Sequence, residues 1–326
     1  MIAAGGTLAQ NADTMKLHTT VLVLLLHVLL CGAPGFAQAV RVTGTSVAIA
    51  PPAGFSPASR YPGFERADLQ ASIMVTEIPG PVAELTRGMT AAGLATRGMT
   101  LISSTKQVVD GRQALVMKVS QQAAGSTVFK WMIVSGDAKT SVMIVGTFPA
   151  PHDAEIGEAM KASLLSTRWS AAATPPDHFE GLPFRIASSP ALKIAGRVSN
   201  LLMLSESGQL TPQGPDAAIF AVGSSVAAVD LADIKAFSRV RAGQTKQLKG
   251  IRVLQEGSTT IDGVDGYELV AEGADASTGR PVTLYQVVLP DPSGYILMQG
   301  LVTPARATVM VPEFRKVAQT FRRNGR

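Results

Sequence analysis

Cysteine is nearly absent from this 326-residue chain: Cys31 is the only one, and it lies in an apolar leader rather than in the body. Without that leader the body can form no disulfide and holds no thiol nucleophile, which excludes cysteine-protease and disulfide-exchange chemistry. Charge is also sparse. Asp, Glu, Lys and Arg make up 16% of residues against about 25% in ordinary globular domains, and a net charge of +5 is no nucleic-acid footprint. Aromatic residues are few, at 5%, whereas Gly and Pro are plentiful, with 31 and 20 copies, which favours a turn-rich fold containing β-structure over a helical bundle. The longest apolar run, residues 21–30 broken only by His27, is too short for a bilayer span, which needs about 20 residues.

That run does have a meaning. Met15-Lys16 precedes it and Ala37-Gln38-Ala39 follows it, so a basic start, an apolar core and an A-x-A ending stand in the order of a secretory signal. The sequence therefore predicts export, with residues 1–39 as the signal, cleavage near Ala39 and a periplasmic or secreted product. Residues 1–14 contain Asp13 and no Lys or Arg, which points to Met15 as the true start. Leu29-Leu30-Cys31-Gly32 resembles a bacterial lipoprotein box, but Leu30 stands where a small residue is preferred, so cleavage at Ala39 is favoured over a lipid anchor at Cys31.

The remaining chain can be laid over itself. With an offset of 154, residues 128–134 fall on 282–288, Trp131 falls on Tyr285, Asp137 on Asp291, and the β-run 142–146 falls on 296–300, ending at Gly146 and Gly300. Upstream the offset is 152 and matches Asp110-Gly111 to Asp262-Gly263. Each copy closes on a helical pattern: Ile156, Met160, Ser163, Leu164 and Thr167 in the first, Met310, Phe314, Val317, Ala318 and Phe321 in the second. Strands are expected at 46–50 and 73–78 in the first copy and 218–222 in the second. A helix follows in each, opened by Pro81 in the first and marked by Leu231, Ile234 and Phe237 in the second. Gly88, Gly93 and Gly98 read as a frayed helix and its exit turn. The predicted fold is α+β: two tandem α/β/α sandwich domains, residues 40–169 and 184–326, each a mainly antiparallel sheet with helices packed on it, joined by a Pro/Ala-rich linker at 170–183.

The ordering of these elements, the turn glycine after Asp110 and Asp262, the paired β-runs and the final helix ending in aromatic or basic residues resemble the PsbP-like and DcrB-like group of α/β/α sandwich domains, here in two copies. That resemblance implies an accessory or binding role and supplies no catalytic motif, and no photosystem role is carried over.

Residue by residue, sites are few. His152 with Asp153 and His178 with Glu180 place imidazole beside carboxylate, the donor set of a divalent metal, but their spacing matches no established site. The simpler reading has Asp153 and Glu155 complementing a helix start and His178 in a linker. Ser103-Ser104-Thr105-Lys106 has the S-x-x-K spacing of penicillin-binding enzymes, and Lys139-Thr140-Ser141 approaches their K-T-G; yet the first segment reads as strand and no S-D-N lies between them. No G-x-S-x-G, H-E-x-x-H or phosphate-loop motif is present. Arg239, Arg241, Lys246, Lys249 and Arg252 form the densest basic stretch, suited either to a solvated face or to peripheral contact with anionic headgroups or an acidic partner. Trp131 and Tyr285 alternate inward with Ile133 and Val287 and read as core.

The function expected is that of an exported, non-enzymatic accessory or binding protein of the bacterial cell envelope, without a cofactor, acting on an envelope protein or small ligand and not on nucleic acid. Two other readings stay open: an envelope hydrolase with an unrecognised site, and a lipid-binding protein.

Overall fold

A computed structural model describes residues 38–324, apart from 124, 170–176, 212, 227, 228, 230, 247 and 293. Met15, Cys31 and most of the signal, and residues 170–176 of the linker, lie outside the described residues.

Two antiparallel seven-stranded sheets dominate the chain. The first half contains β1 (Val40–Arg41), β2 (Val47–Ile49), β3 (Ser56–Pro57), β4 (Gly63–Arg66), β5 (Ala71–Pro79), β6 (Met99–Val109), β7 (Arg112–Ala123), β8 (Ser126–Gly136), β9 (Thr140–Pro149) and β10 (Arg168–Trp169). Its helices are α1 (Val82–Arg87), α2 (Ala91–Ala95) and α3 (Asp153–Leu165). The large sheet runs in the order β3-β4-β5-β9-β8-β7-β6. Its central strands β7, β8 and β9 carry apolar residues on both faces, so each face needs a cover. Ile73, Val116, Ile133 and Ile144 meet Ile156, Met160 and Leu164 of α3 on one side. Met117, Val119, Met132 and Val134 meet Met89, Leu94 and Leu85 on the other.

The second half contains β11 (Phe184–Arg185), β12 (Lys193–Val198), β13 (Leu201–Ser205), β14 (Ile219–Ser224), β15 (Leu248–Ile261), β16 (Val264–Asp275), β17 (Pro281–Asp291), β18 (Gly294–Val302) and β19 (Arg322–Arg323), with helices α4 (Ile234–Gly243) and α5 (Pro304–Gln319). Its sheet runs β12-β13-β14-β18-β17-β16-β15, the same order as the first with every strand nine places later in the chain. Helix α5 packs Met310, Phe314 and Val317 on Phe220, Tyr285 and Met298. Helix α4 covers Leu269, Ala271 and Leu284 on the opposite face through Ala242. The fold is thus α+β, two α/β sandwiches in tandem, and both lie in one compact unit beginning at Ala39.

The closing helices are held at equivalent glycines. Gly146 pairs in register with Trp131, and Gly300 pairs with Tyr285. A Cβ on Gly146 would run into the Met160 side chain, and one on Gly300 would stand 2.5 Å from the Phe314 ring. The helices can therefore approach these sheets closely only because both positions lack a side chain. Full burial of Met160 and Phe314 stabilises by roughly 1.5–3 kcal/mol apiece.

The 46–50 segment supplies the expected strand, β2, which lies between β1 and β10 in a three-stranded sheet. Two local expectations are corrected. Leu231 precedes α4, because Asp233 caps that helix by accepting the Ala236 N–H. The glycine-spaced segment contains a separate short helix, α2, started when Thr90 Oγ1 accepts the Gly93 N–H at 3.1 Å.

Candidate functional site

The two halves touch where β12 of the second sheet lies against β5 of the first. Arg41, on the short strand β1, forks onto Glu180 with bonds of 2.7 and 2.8 Å. That geometry is the bidentate arrangement favoured between guanidinium and carboxylate. Glu77, near the end of β5, accepts the Ser46 N–H at 2.7 Å and the Ser46 hydroxyl at 2.6 Å. Arg197, from β12, donates through Nε to the Ser199 carbonyl and through Nη1 to the Glu180 carbonyl.

A cleft of about 250 Å³ opens among these groups, lined by Thr45, Val75, Glu77 and Thr140 of the first half and by Arg197 and Leu210 of the second, with His178 between them. Burial pushes the Arg197 guanidinium below its ordinary pKa, and Glu180 and Glu77 oppose that shift. The fork from Arg41 holds Glu180 below the usual carboxylate range. The cleft accordingly has one partly buried cation fixed by backbone carbonyls, a carboxylate (Glu77) already accepting two bonds, and a mixed remainder in which Asp177, His178, Thr45 and Thr140 stand beside Val75 and Leu210. Such a surface can orient a small polar group or an extended peptide by hydrogen bonds without reorganising.

The four residues considered for a metal are not brought together, and among the described residues no group of three or more His, Cys, Asp or Glu is placed to hold one. Asp153 binds the Lys118 ammonium at 2.7 Å rather than capping α3. His152 Nδ1 lies 3.4 Å from Glu155, Glu180 is engaged by Arg41, and His178 alone reaches the cleft. Ser103 and Lys106 lie on the edge strand β6, paired with Lys118 and Leu115. Trp131 is 6% exposed, with Lys118 and Lys161 ammoniums 5.5 and 5.0 Å from its ring centre. Tyr285 is fully buried and donates its hydroxyl to Glu268 at 2.9 Å. Each aromatic belongs to the core of its own half.

No known family profile matches the chain, and no curated protein does. Solved structures give only distant similarities. A cyanobacterial PsbP from Synechocystis is 16% identical, over 43% of this chain and 96% of its own, with a TM-score of 0.29. LpqN of Mycobacterium tuberculosis, described as involved in cell envelope biogenesis, is 13% identical over 43% and 82%, with a TM-score of 0.29. The immunity protein TplEi of Pseudomonas aeruginosa is 12% identical over 82% and 96%, also at 0.29. At such scores nothing of those proteins' roles transfers to this chain.

The basic stretch separates into two kinds of residue. Arg239 is bound to Glu256, and Arg252 to Glu272 at 2.8 Å. Arg241 and Lys246 instead line a second cavity, beside the end of α4. Lys249 is exposed on β15. Sequence reasoning missed Arg41, Glu77 and Arg197. A lone Arg in the strand pattern of 193–198 carries no signal of its own, since its partners lie on segments far away in the chain.

Proposed function

We propose that this chain is an exported, non-enzymatic binding protein of the bacterial envelope, which takes a small ligand or an extended segment of a partner protein into the cleft between its halves. The observation that carries this reading is the shared lining of that cleft, with Arg197 held in place by the carbonyls of Ser199 and Glu180. The carboxylates around it favour recognition over proton transfer, because Glu77 is already bound to Ser46 and Glu180 to Arg41. The leader at 1–39 supports export, and the PsbP-like ordering of elements supports an accessory role.

Thr140→Trp tests the reading, because Thr140 is exposed at the cleft and a bulky side chain there obstructs it. Saturable capture of one envelope component by the purified chain, lost in Thr140→Trp, is the expected result. Turnover of an envelope substrate that the same change abolishes would overturn the non-enzymatic reading.

A further inference from the structure

The two sheets differ at one matched cross-strand pair. In the first half Met132 faces Val145 in register, within the apolar layer under α1 and α2. At the same places in the second half Gln286 faces Gln299. Gln286 is fully buried. Its amide N–H groups donate to the Ser238 carbonyl and hydroxyl of α4 at 2.9 Å each. Its carbonyl accepts from Gln299 at 2.9 Å, and Gln299 donates also to the Thr245 hydroxyl at 2.9 Å. A polar ladder thus runs beneath the helix, Ser238 to Gln286 to Gln299 to Thr245, where the first half has methionine and valine.

The ladder ends at a cavity of about 550 Å³. Arg241, Thr245, Lys246 and Gln299 form its polar wall, and Leu201 and Leu297 its apolar one. The Arg241 Nε–H is buried and, among the described residues, has no hydrogen-bond partner. Among the described residues neither Arg241 nor Lys246 makes an ion pair, although Arg239 and Arg252 in the same stretch each do. The negative end of the α4 dipole accounts for a cation near the helix terminus. It accounts neither for a buried unpaired Nε–H, which is costly to desolvate, nor for a polar ladder replacing an apolar layer.

We propose that this cavity binds a small amphiphilic oxyanion, a carboxylate or phosphate ester with a short aliphatic body. The head accepts from the terminal Nη groups of Arg241, from Lys246 and from the Thr245 hydroxyl, and the body lies along Leu201 and Leu297. A guanidinium presents two parallel N–H groups to such a head. Gln299 holds the Thr245 oxygen by donating to it, which turns the hydroxyl proton outward.

Calorimetric titration of the full chain with octanoate, octyl phosphate and inorganic phosphate tests this. Saturable binding of at least one octyl compound is expected, weakened about tenfold or more in Arg241→Gln and in Lys246→Gln, in keeping with the strength of hydrogen bonds to charged groups. Whichever octyl compound binds tighter identifies the head as carboxylate or phosphate. Binding should survive in Arg252→Gln, whose guanidinium is already paired, and in Thr140→Trp, which separates this site from the cleft between the halves. No saturable binding of either octyl compound, equal affinity in Arg241→Gln, or inorganic phosphate binding as tightly as octyl phosphate would each overturn the proposal.

Discussion

The Asp262 carboxylate accepts the backbone N–H of Arg323 at 3.0 Å, tying the turn between β15 and β16 to the strand that follows the last helix. Asp110 does the same for Trp169 at 2.8 Å in the first half. Both aspartates and their following glycines have positive φ, 47° and 76° at Asp110-Gly111 and 54° and 69° at Asp262-Gly263, as a two-residue hairpin turn requires. One residue thus satisfies two demands: it tolerates the left-handed region and it anchors a distant strand. Asp262→Ala should lose the bond and add backbone strain, lowering stability by about 2 kcal/mol. Asp262→Asn retains an acceptor and should lose less than half of that, read from urea unfolding.

Gly300→Ala should destabilise by roughly 1–3 kcal/mol, because the new methyl meets a fully buried Phe314 ring that cannot swing away. Gly146→Ala should cost less, since its neighbour is the flexible Met160 thioether. Denaturant midpoints of the two variants check the order, and equal losses would mean that both helices shift alike.

Acid should loosen the contact between the halves. The Arg41 fork lowers the Glu180 pKa in the folded state, so this pair's stabilisation is present above the ordinary glutamate pKa and is lost as pH falls through the lowered one. Its partly exposed side chains are screened by solvent, which keeps the contribution to about 0.5 kcal/mol. Glu206, lowered by Arg306 within the second half, likewise costs the fold stability in acid but takes no part in that contact. The difference in Tm between the wild type and Glu180→Gln should therefore be measurable at pH 7 and shrink as pH falls below the ordinary glutamate pKa, with the Glu206 effect common to both.

Gln286→Met alone should destabilise by about 1–3 kcal/mol, because it strands the Gln299 amide and the Ser238 groups in a buried layer. Adding Gln299→Val reproduces the pair of the first half and should recover only the part due to the Gln299 amide, because the Ser238 groups stay unpaired and Thr245 loses its donor. A double-mutant cycle in urea measures the recovery.

The repeated features carried in short stretches of sequence are those the fold reproduces. Asp-Gly turns, alternation along 128–134 and 282–288, and the closing helices are local patterns with fixed periods, so they could be read without knowing their partners. Strand partnership is different. Val47-Ala48-Ile49 has a strand pattern, but nothing in it says that it pairs with Arg168 and Trp169 instead of joining the large sheet. Strand β12 escaped notice because Gly196 interrupts its alternation at a register shift. The junction cleft was illegible for the same reason on a larger scale. Thr45, Glu77, Thr140 and Arg197 stand on four separate segments, and only the packing of β12 against β5 collects them. His178 was noticed for its neighbouring acids, yet its place at the cleft depends on residues distant in the sequence.

The central claim is that the cleft between the halves is where this protein meets its partner, and site-specific photocrosslinking in cells that produce it tests that claim most directly. A benzophenone side chain at Thr140, exposed beside the cleft, should yield one discrete adduct that disappears when Arg197→Gln is added, whereas the same group at Ser104 on the edge strand β6 should yield none. Adducts of equal identity and yield from both positions, or an adduct at 140 indifferent to Arg197, would contradict it.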